Sequence, residues 1–215
     1  MVLVYSGGLD STCLLYERSR EIKLALTFNY GSKHNAKEIE CARLHCQRLG
    51  IEHRVIDLPF IAEHFKSALL TGDVPDGHYE DEVMKKTVVP FRNGIMLSIA
   101  VGIAESYGHD KVLLASHAGD HAIYPDCRPE FNRAFTNAAR SGTYNEVELD
   151  MPYSTITKRQ VVERTVAAIA HRTAVLIFLE TWSCYKGRDI HCGTCGTCVE
   201  RKEALEGYDL TKYLK

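Results

Sequence analysis

The sequence predicts an α/β fold: an open parallel sheet covered by helices on both faces, followed by a small C-terminal helical appendage. Three observations carry that prediction. Short apolar runs alternate with longer segments of helical period through the first half of the chain. A glycine-containing turn, Ser6-Gly7-Gly8-Leu9-Asp10-Ser11, follows the first apolar run directly. Half of the eight cysteines fall between Thr181 and Cys198.

Taken in order, Val2–Tyr5 reads as a buried strand and Ser11–Arg18 as the helix after the turn. Lys23–Phe28 is a second strand. Asn35–Leu49 has apolar or small residues at Ala36, Ile39, Ala42, Cys46 and Leu49, a helical spacing closed by Gly50. Glu52–Asp57 is a third strand. Asn93–Tyr107 is a helix ended by Gly108, and Val112–Ala115 is a fourth strand. Thr71–Lys86, with Gly72, Pro75, Gly77 and an acidic run, is expected to be a mobile surface loop. His117–Pro129 is polar and contains two prolines. Asp150-Met151-Pro152 marks an expected boundary between a nucleotide-binding α/β domain (1–150) and a helical tail (151–215). In the tail, Lys158–His171 and Glu200–Leu205 read as helices.

Composition narrows the function classes. With 215 residues, 25% charged and 45% hydrophobic, the chain is an ordinary globular one, neither disordered nor of low complexity. A net charge of -2 argues against a surface that neutralises a nucleic-acid backbone. No apolar run approaches the ~20 residues of a membrane span. The Met1–Tyr5 run lacks the features of a signal peptide. A cytoplasmic location is therefore expected, with cysteines serving as thiols or metal ligands before disulfides.

The turn after the first strand lies where open α/β sheets bind ligands. Gly7 and Gly8 let the backbone approach an anion, and the following helix N-terminus directs N–H groups and its dipole there. Ser6 and Ser11 can add hydroxyl donors. Asp10 is suited to a Mg²⁺ ion or to a helix cap. A plain strand-to-helix turn would also use these residue types. In the tail, Cys184, Cys192, Cys195 and Cys198 form C-x7-C-x2-C-x2-C. Two-residue gaps let successive thiolates bend around one ion, and four thiolates suit a closed, structural Zn²⁺ site. An iron–sulfur cluster or a thiol relay are the alternatives. Cys13, Cys41 and Cys46 read as small buried hydrophobes.

The hexapeptide Ser6–Ser11 resembles the pyrophosphate loop (PP-loop) of ATP pyrophosphatases, and the absence of Gly-Lys-Ser/Thr counts against kinase-type transfer. Further segments occur in order: Phe28-Asn29-Tyr30-Gly31-Ser32-Lys33-His34, Val89-Pro90-Phe91-Arg92-Asn93, His117-Ala118-Gly119-Asp120, Tyr124-Pro125-Asp126-Cys127-Arg128 and Trp182-Ser183-Cys184-Tyr185. From Leu3 to Glu203 the chain resembles the 7-cyano-7-deazaguanine synthase family, ATP-dependent ligases of queuosine and archaeosine precursor synthesis. That resemblance implies an adenine-nucleotide α-hydrolase-like fold, ATP, Mg²⁺ and Zn²⁺ as cofactors, and 7-carboxy-7-deazaguanine and ammonia as substrates. It also implies a homodimer and no nucleic-acid or membrane partner. The nucleotide is assigned to Ser6, Gly7, Gly8, Leu9, Asp10, Ser11 and Phe28, and the small molecule to Arg92, Asn93, Asp120, Tyr124, Asp126 and Arg128. Asp10, Ser11, Arg92 and Lys158 are the expected catalytic set; Lys33 is a further candidate cation and Glu130 a further candidate acceptor. The four tail cysteines hold the zinc.

Cations must face the substrate carboxylate and the α-phosphate, and arginine suits a planar bidentate contact. A deazaguanine edge presents N–H donors and needs acceptors such as Asp120. Arg92 and Asn93 could equally be a surface residue and an N-cap, and Tyr124–Asp126 a turn. Two departures stand out. Many family members read Val-Pro-Gly-Arg-Asn where this chain has Phe91, and Ser116-His117-Ala118-Gly119 replaces a Cys-Glu-Thr segment. Both are expected on the substrate side. A tRNA-base-modifying enzyme sharing the loop would need a broad basic face. A non-catalytic zinc-containing nucleotide-binding module would not need so complete a loop.

Overall fold

The computed structural model describes residues 1–214. Five strands form one sheet: β1 (Val2–Val4), β2 (Leu24–Asn29), β3 (Glu52–Asp57), β4 (Lys111–Leu113) and β5 (Glu148–Asp150). Their spatial order is β3-β2-β1-β4-β5, and every neighbouring pair is parallel. Helices are α1 (Leu9–Glu17), α2 (Asn35–Leu49), α3 (Pro59–His64), α4 (Arg92–Ser106), α5 (Pro129–Ser141), α6 (Lys158–Ala168), α7 (His171–Leu179) and α8 (Gly196–Ala204).

Strand alternation explains why β1, β2 and β4 are apolar at nearly every position. Val2, Leu24, Leu26, Phe28 and Val112 point to one face, where they meet Leu97 and Ala100 of α4. Leu3, Ala25 and Leu113 point to the other, where they meet Leu14 and Leu15 of α1, Val161 and Val162 of α6, and Phe178 of α7. Residues from both sides of position 150 share this second cluster. Chain order reverses direction at β1: β2 lies on one side and β4 on the other. Loops leaving β1 and β4 therefore part at a crevice at the sheet's carboxyl edge.

The sheet and α2 agree with the sequence reading, α2 to the residue, closed by Gly50 at φ 65. Other elements differ. The expected mobile loop 71–86 packs: Val74, Tyr79 and Met84 are buried, and Glu82–Thr87 forms a 3-10 helix. Asp76 bridges Cys195 in antiparallel fashion, which ties this segment to the cysteine-rich tail. The single helix expected over 158–171 breaks at Ile169 and Ala170 into α6 and α7. The last helix starts earlier than expected, at Gly196. β5, α3 and α5 were not foreseen. Among the described residues no helix is long and apolar enough to cross a membrane.

Candidate functional site

One cavity opens at the crevice. Loop residues Ser6, Gly8, Leu9, Asp10 and Ser11 line it together with Phe28, Tyr30, Arg92, Asn93, Asp120, Tyr124 and Lys158. Most of the residues singled out from the sequence thus meet in one place, although they come from β1, β2, α4, α6 and the segment after β4.

The turn after β1 is built for close backbone approach. Gly7 adopts φ 89, a left-handed value that favours glycine. A Cβ there would lie 2.2 Å from the Glu38 carbonyl oxygen of α2. The Gly8 N–H donates to Ser6 Oγ at 3.0 Å, and Ser6 Oγ and Ser11 Oγ are 3.0 Å apart. Gly8 is the N-cap of α1 without a side-chain cap, so the first-turn N–H groups are available to an anion.

Arg92 begins α4 on the opposite side of the cavity. Its Nη1 donates to the Tyr30 hydroxyl at 3.2 Å, and its guanidinium lies 5.6 Å and 5.9 Å from the Tyr30 and Tyr124 ring centroids. This cage leaves guanidinium hydrogens free for an anionic ligand. Asp120 accepts from the Tyr79 hydroxyl at 2.9 Å. Burial alone would raise its pKa, but the neighbouring His117 and Lys158 hold it below the usual aspartate value, so it stays an acceptor.

Lys158 reaches the loop from α6, with Nζ 3.2 Å from Asp10 Oδ2. Burial alone would lower its pKa, yet the Asp10, Glu200 and Asp120 carboxylates raise it above the ordinary lysine value. It is an ammonium at neutral pH.

Five sequence assignments land elsewhere. Asp126 does not line the cavity; its Oδ2 accepts the Asn93 backbone N–H at 2.8 Å, a cap on the first turn of α4. Arg128 turns away, donating to the His121 carbonyl at 3.0 Å. Lys33 donates to the Gly72 carbonyl, and Glu130 is exposed. Gly7 stands behind the lining, against α2. Of the two departures, Ser116 lines the cavity but Phe91 is 59% exposed and points out of it. Phe91 also has φ 54, the left-handed region where glycine would be relaxed.

The cavity also includes Glu38, Tyr79 and Thr197, which no local pattern flagged, and His34, Trp182, Ser183 and Tyr185, which lie in the family-like segments but carried no assigned role. Burial pushes the Glu38 carboxyl up to about 8, and burial together with Arg92 brings the His34 imidazole down to about 3. Both are neutral near pH 7, which suits a wall facing phosphates. Cys127 also reaches the cavity, but burial raises its thiol well above the usual range, so it is not a ready nucleophile.

Cys184, Cys192, Cys195 and Cys198 converge beside this cavity, all buried, with their sulfurs within 4.8 Å of one another. Cys192 Sγ and Cys198 Sγ are 3.8 Å apart. A tetrahedron of Zn–S bonds has an edge of ~3.8 Å, so the donor set fits one zinc ion with no position left for water. That spacing is too tight for a cluster of several irons.

Residues 1–209 match the family model described as queuosine biosynthesis protein QueC. A 7-cyano-7-deazaguanine synthase of Porphyromonas gingivalis is 55% identical over 206 residues, covering 95% of this chain and 91% of that protein. Another, of Desulfotalea psychrophila, is 53% identical and covers 99% and 98%. A third, of Hahella chejuensis, is 46% identical and covers 98% and 90%.

Proposed function

The chain belongs to the queuosine biosynthesis protein QueC family, and on that premise we propose that it converts 7-carboxy-7-deazaguanine and ammonia into 7-cyano-7-deazaguanine at the expense of two ATP. The observation that carries this reading is the single cavity in which a phosphate loop, a caged arginine and a carboxylate acceptor face one another. Its nearest rival, base modification within tRNA, has no comparable support.

The reaction follows from that arrangement. The substrate carboxylate attacks the α-phosphorus of ATP, giving an acyl-adenylate and pyrophosphate. The free N–H groups at the start of α1, with Ser6 and Ser11, receive the departing pyrophosphate. Arg92 pairs with the carboxylate or α-phosphate oxygens, and Lys158 adds a second positive charge. Asp120 accepts from the N–H edge of the deazaguanine. Ammonia displaces AMP to give the amide. The amide oxygen then attacks the α-phosphorus of a second ATP and expels pyrophosphate, and loss of AMP and two protons leaves the nitrile. Mg²⁺ would be held by Asp10 and would offset phosphate charge. Zinc in the four-cysteine site would be structural, and residues 151–215 would form the tail that carries it.

Purified protein given the acid, ATP, Mg²⁺ and ammonia should release pyrophosphate and AMP, with carboxyl ¹⁸O appearing in AMP. Pyrophosphate release that requires tRNA would hand the case to base modification. No turnover with either substrate would leave a binding module.

A homodimer is part of the proposal. Phe91, Ile95, Ile99 and Ile103 follow one another at four-residue spacing along α4, and Phe91 packs edge-on to Phe131, which packs on Phe135. This partly open apolar strip is suited to a second copy of the chain. Phe91→Asp keeps a residue that tolerates left-handed backbone. It is expected to shift sedimentation from dimer to monomer; an unchanged dimer would place the interface elsewhere. Eight unpaired thiols fit a reducing compartment, and the cytoplasm is the proposed location.

A further inference from the structure

Lys158 is held from two directions by carboxylates that lie far apart in sequence. Its Nζ is 2.6 Å from Glu200 Oε2 and 3.2 Å from Asp10 Oδ2. Lys158 and Asp10 line the cavity, whereas Glu200 stands behind Lys158 and does not. The other Glu200 oxygen faces His117 Nε2 at 3.5 Å, and the His117 side chain is 1% exposed. His117 Nδ1 accepts the Gly119 N–H at 3.1 Å, and Nε2 lies 3.7 Å from Asp120 Oδ1. Asp10 Oδ1 is buried and has no hydrogen-bond partner among the described residues.

We propose that Glu200 is a positioning residue: it holds the Lys158 ammonium back from Asp10, so that Asp10 stays open to the cation accompanying ATP and Lys158 stays open to the phosphates. This rests on the reading of Asp10 given above. One ammonium lies between two carboxylates, and the shorter contact is to Glu200. Were Glu200 uncharged, the shared ammonium would tighten its 3.2 Å contact to Asp10 into an exclusive buried pair, and both would be lost to the nucleotide. Glu200 is itself fixed. It sits on α8, two residues beyond Cys198 and on the helix capped by Cys195. Through this helix the cysteine-rich tail reaches the nucleotide cavity.

The test measures binding of α,β-methylene-ATP with and without Mg²⁺, in the full chain. Glu200→Gln should weaken binding about tenfold with Mg²⁺, as loss of a residue behind a metal ligand typically does, and by a smaller factor of about threefold without it, where only the Lys158 contact to the phosphates is lost. Glu200→Asp should recover most of that loss. In a Lys158→Met background, adding Glu200→Gln should cost nothing further. Unchanged Mg²⁺-dependent binding in Glu200→Gln overturns the inference, as does an equal loss in the Lys158→Met background. Loss of zinc or early melting in both Glu200→Gln and Glu200→Asp overturns it in favour of a purely structural role. No acyl substrate is present, so failure of the unsubstituted chain to make nitrile would count against the reaction and leave this result standing. A chain whose nucleotide binding ignores Mg²⁺ would overturn the Asp10 assignment and this inference with it.

Discussion

Replacing Gly7 with alanine is expected to abolish nucleotide binding and to destabilise the chain by about 3 kcal/mol or more. Two independent penalties meet at this position. The backbone holds φ 89, which an L-residue with a Cβ adopts only under strain. The added methyl would also sit 2.2 Å from the Glu38 carbonyl oxygen and 2.9 Å from the Ala42 nitrogen, both backbone atoms of α2. Neither can swing aside as a side chain can. Relief requires moving the loop away from α2, and that shift displaces the N–H groups meant for pyrophosphate. Trp182, whose N–H donates to the Gly7 carbonyl at 3.3 Å, would move as well. Gly8→Ala is the control for stability alone. Gly8 has φ -74, and the nearest atom to its Cβ would be Ser6 Oγ at 3.1 Å, a hydroxyl that can rotate. Urea unfolding and calorimetric titration with an ATP analogue separate the two effects. A Gly7→Ala protein with an unchanged midpoint would show that the loop is not wedged against α2.

Patterns carried within one segment were legible in the sequence, and relations between segments were not. Asn35–Leu49 could be bounded to the residue because its apolar spacing and Gly50 are local signals. The same holds for the turn after β1 and for the cysteine spacing. β5 gave almost no signal: it has three residues, all half-buried, at a sheet edge. α5 did carry one, with Pro129 and Glu130 in its first turn, a helix start that the neighbouring prolines disguised as a loop. The 71–86 segment reads as polar and mobile by composition, yet Tyr79 packs on Tyr124 with ring centroids 6.2 Å apart and donates to Asp120. Only tertiary contact reveals that. Asp126 shows the reverse error. A carboxylate in a conspicuous motif looked like a ligand group, whereas it caps a helix 33 residues earlier in the chain. Glu38 and Glu200 lie within ordinary helical patterns, so nothing in their surroundings marks them as part of the cavity or its support.

Cys195→Ser is expected to lose stoichiometric zinc and to lower the melting temperature by about 10 °C or more. Four thiols are gathered at a site whose buried volume has no apolar substitute for the ion: Cys184, Cys195 and Cys198 are 0% exposed and Cys192 is 5% exposed. Without metal these sulfurs crowd one another, and a site of this kind gains its order from the ion it binds. The consequences should travel further than the tail. Cys195 is bridged to Asp76, and the Gly77 N–H donates to the Thr194 carbonyl at 3.1 Å. Lys186 Nζ adds a 2.6 Å contact to Asp76. Loosening of the cysteine turn therefore releases the segment that carries Tyr79, and with it the hydroxyl that steadies Asp120. Cys195 is also the N-cap of α8, so Glu200 would lose its anchor behind Lys158. Zinc loss should consequently weaken nucleotide binding as well as stability, although no cysteine of the cluster except through these links touches the phosphate loop. Elemental analysis, thermal melting and analogue titration on one preparation would decide it. If Cys195→Ser retains one zinc per chain and melts normally, the site is not a closed four-thiolate centre. If it loses zinc but binds nucleotide unchanged, the tail and the cavity are independent.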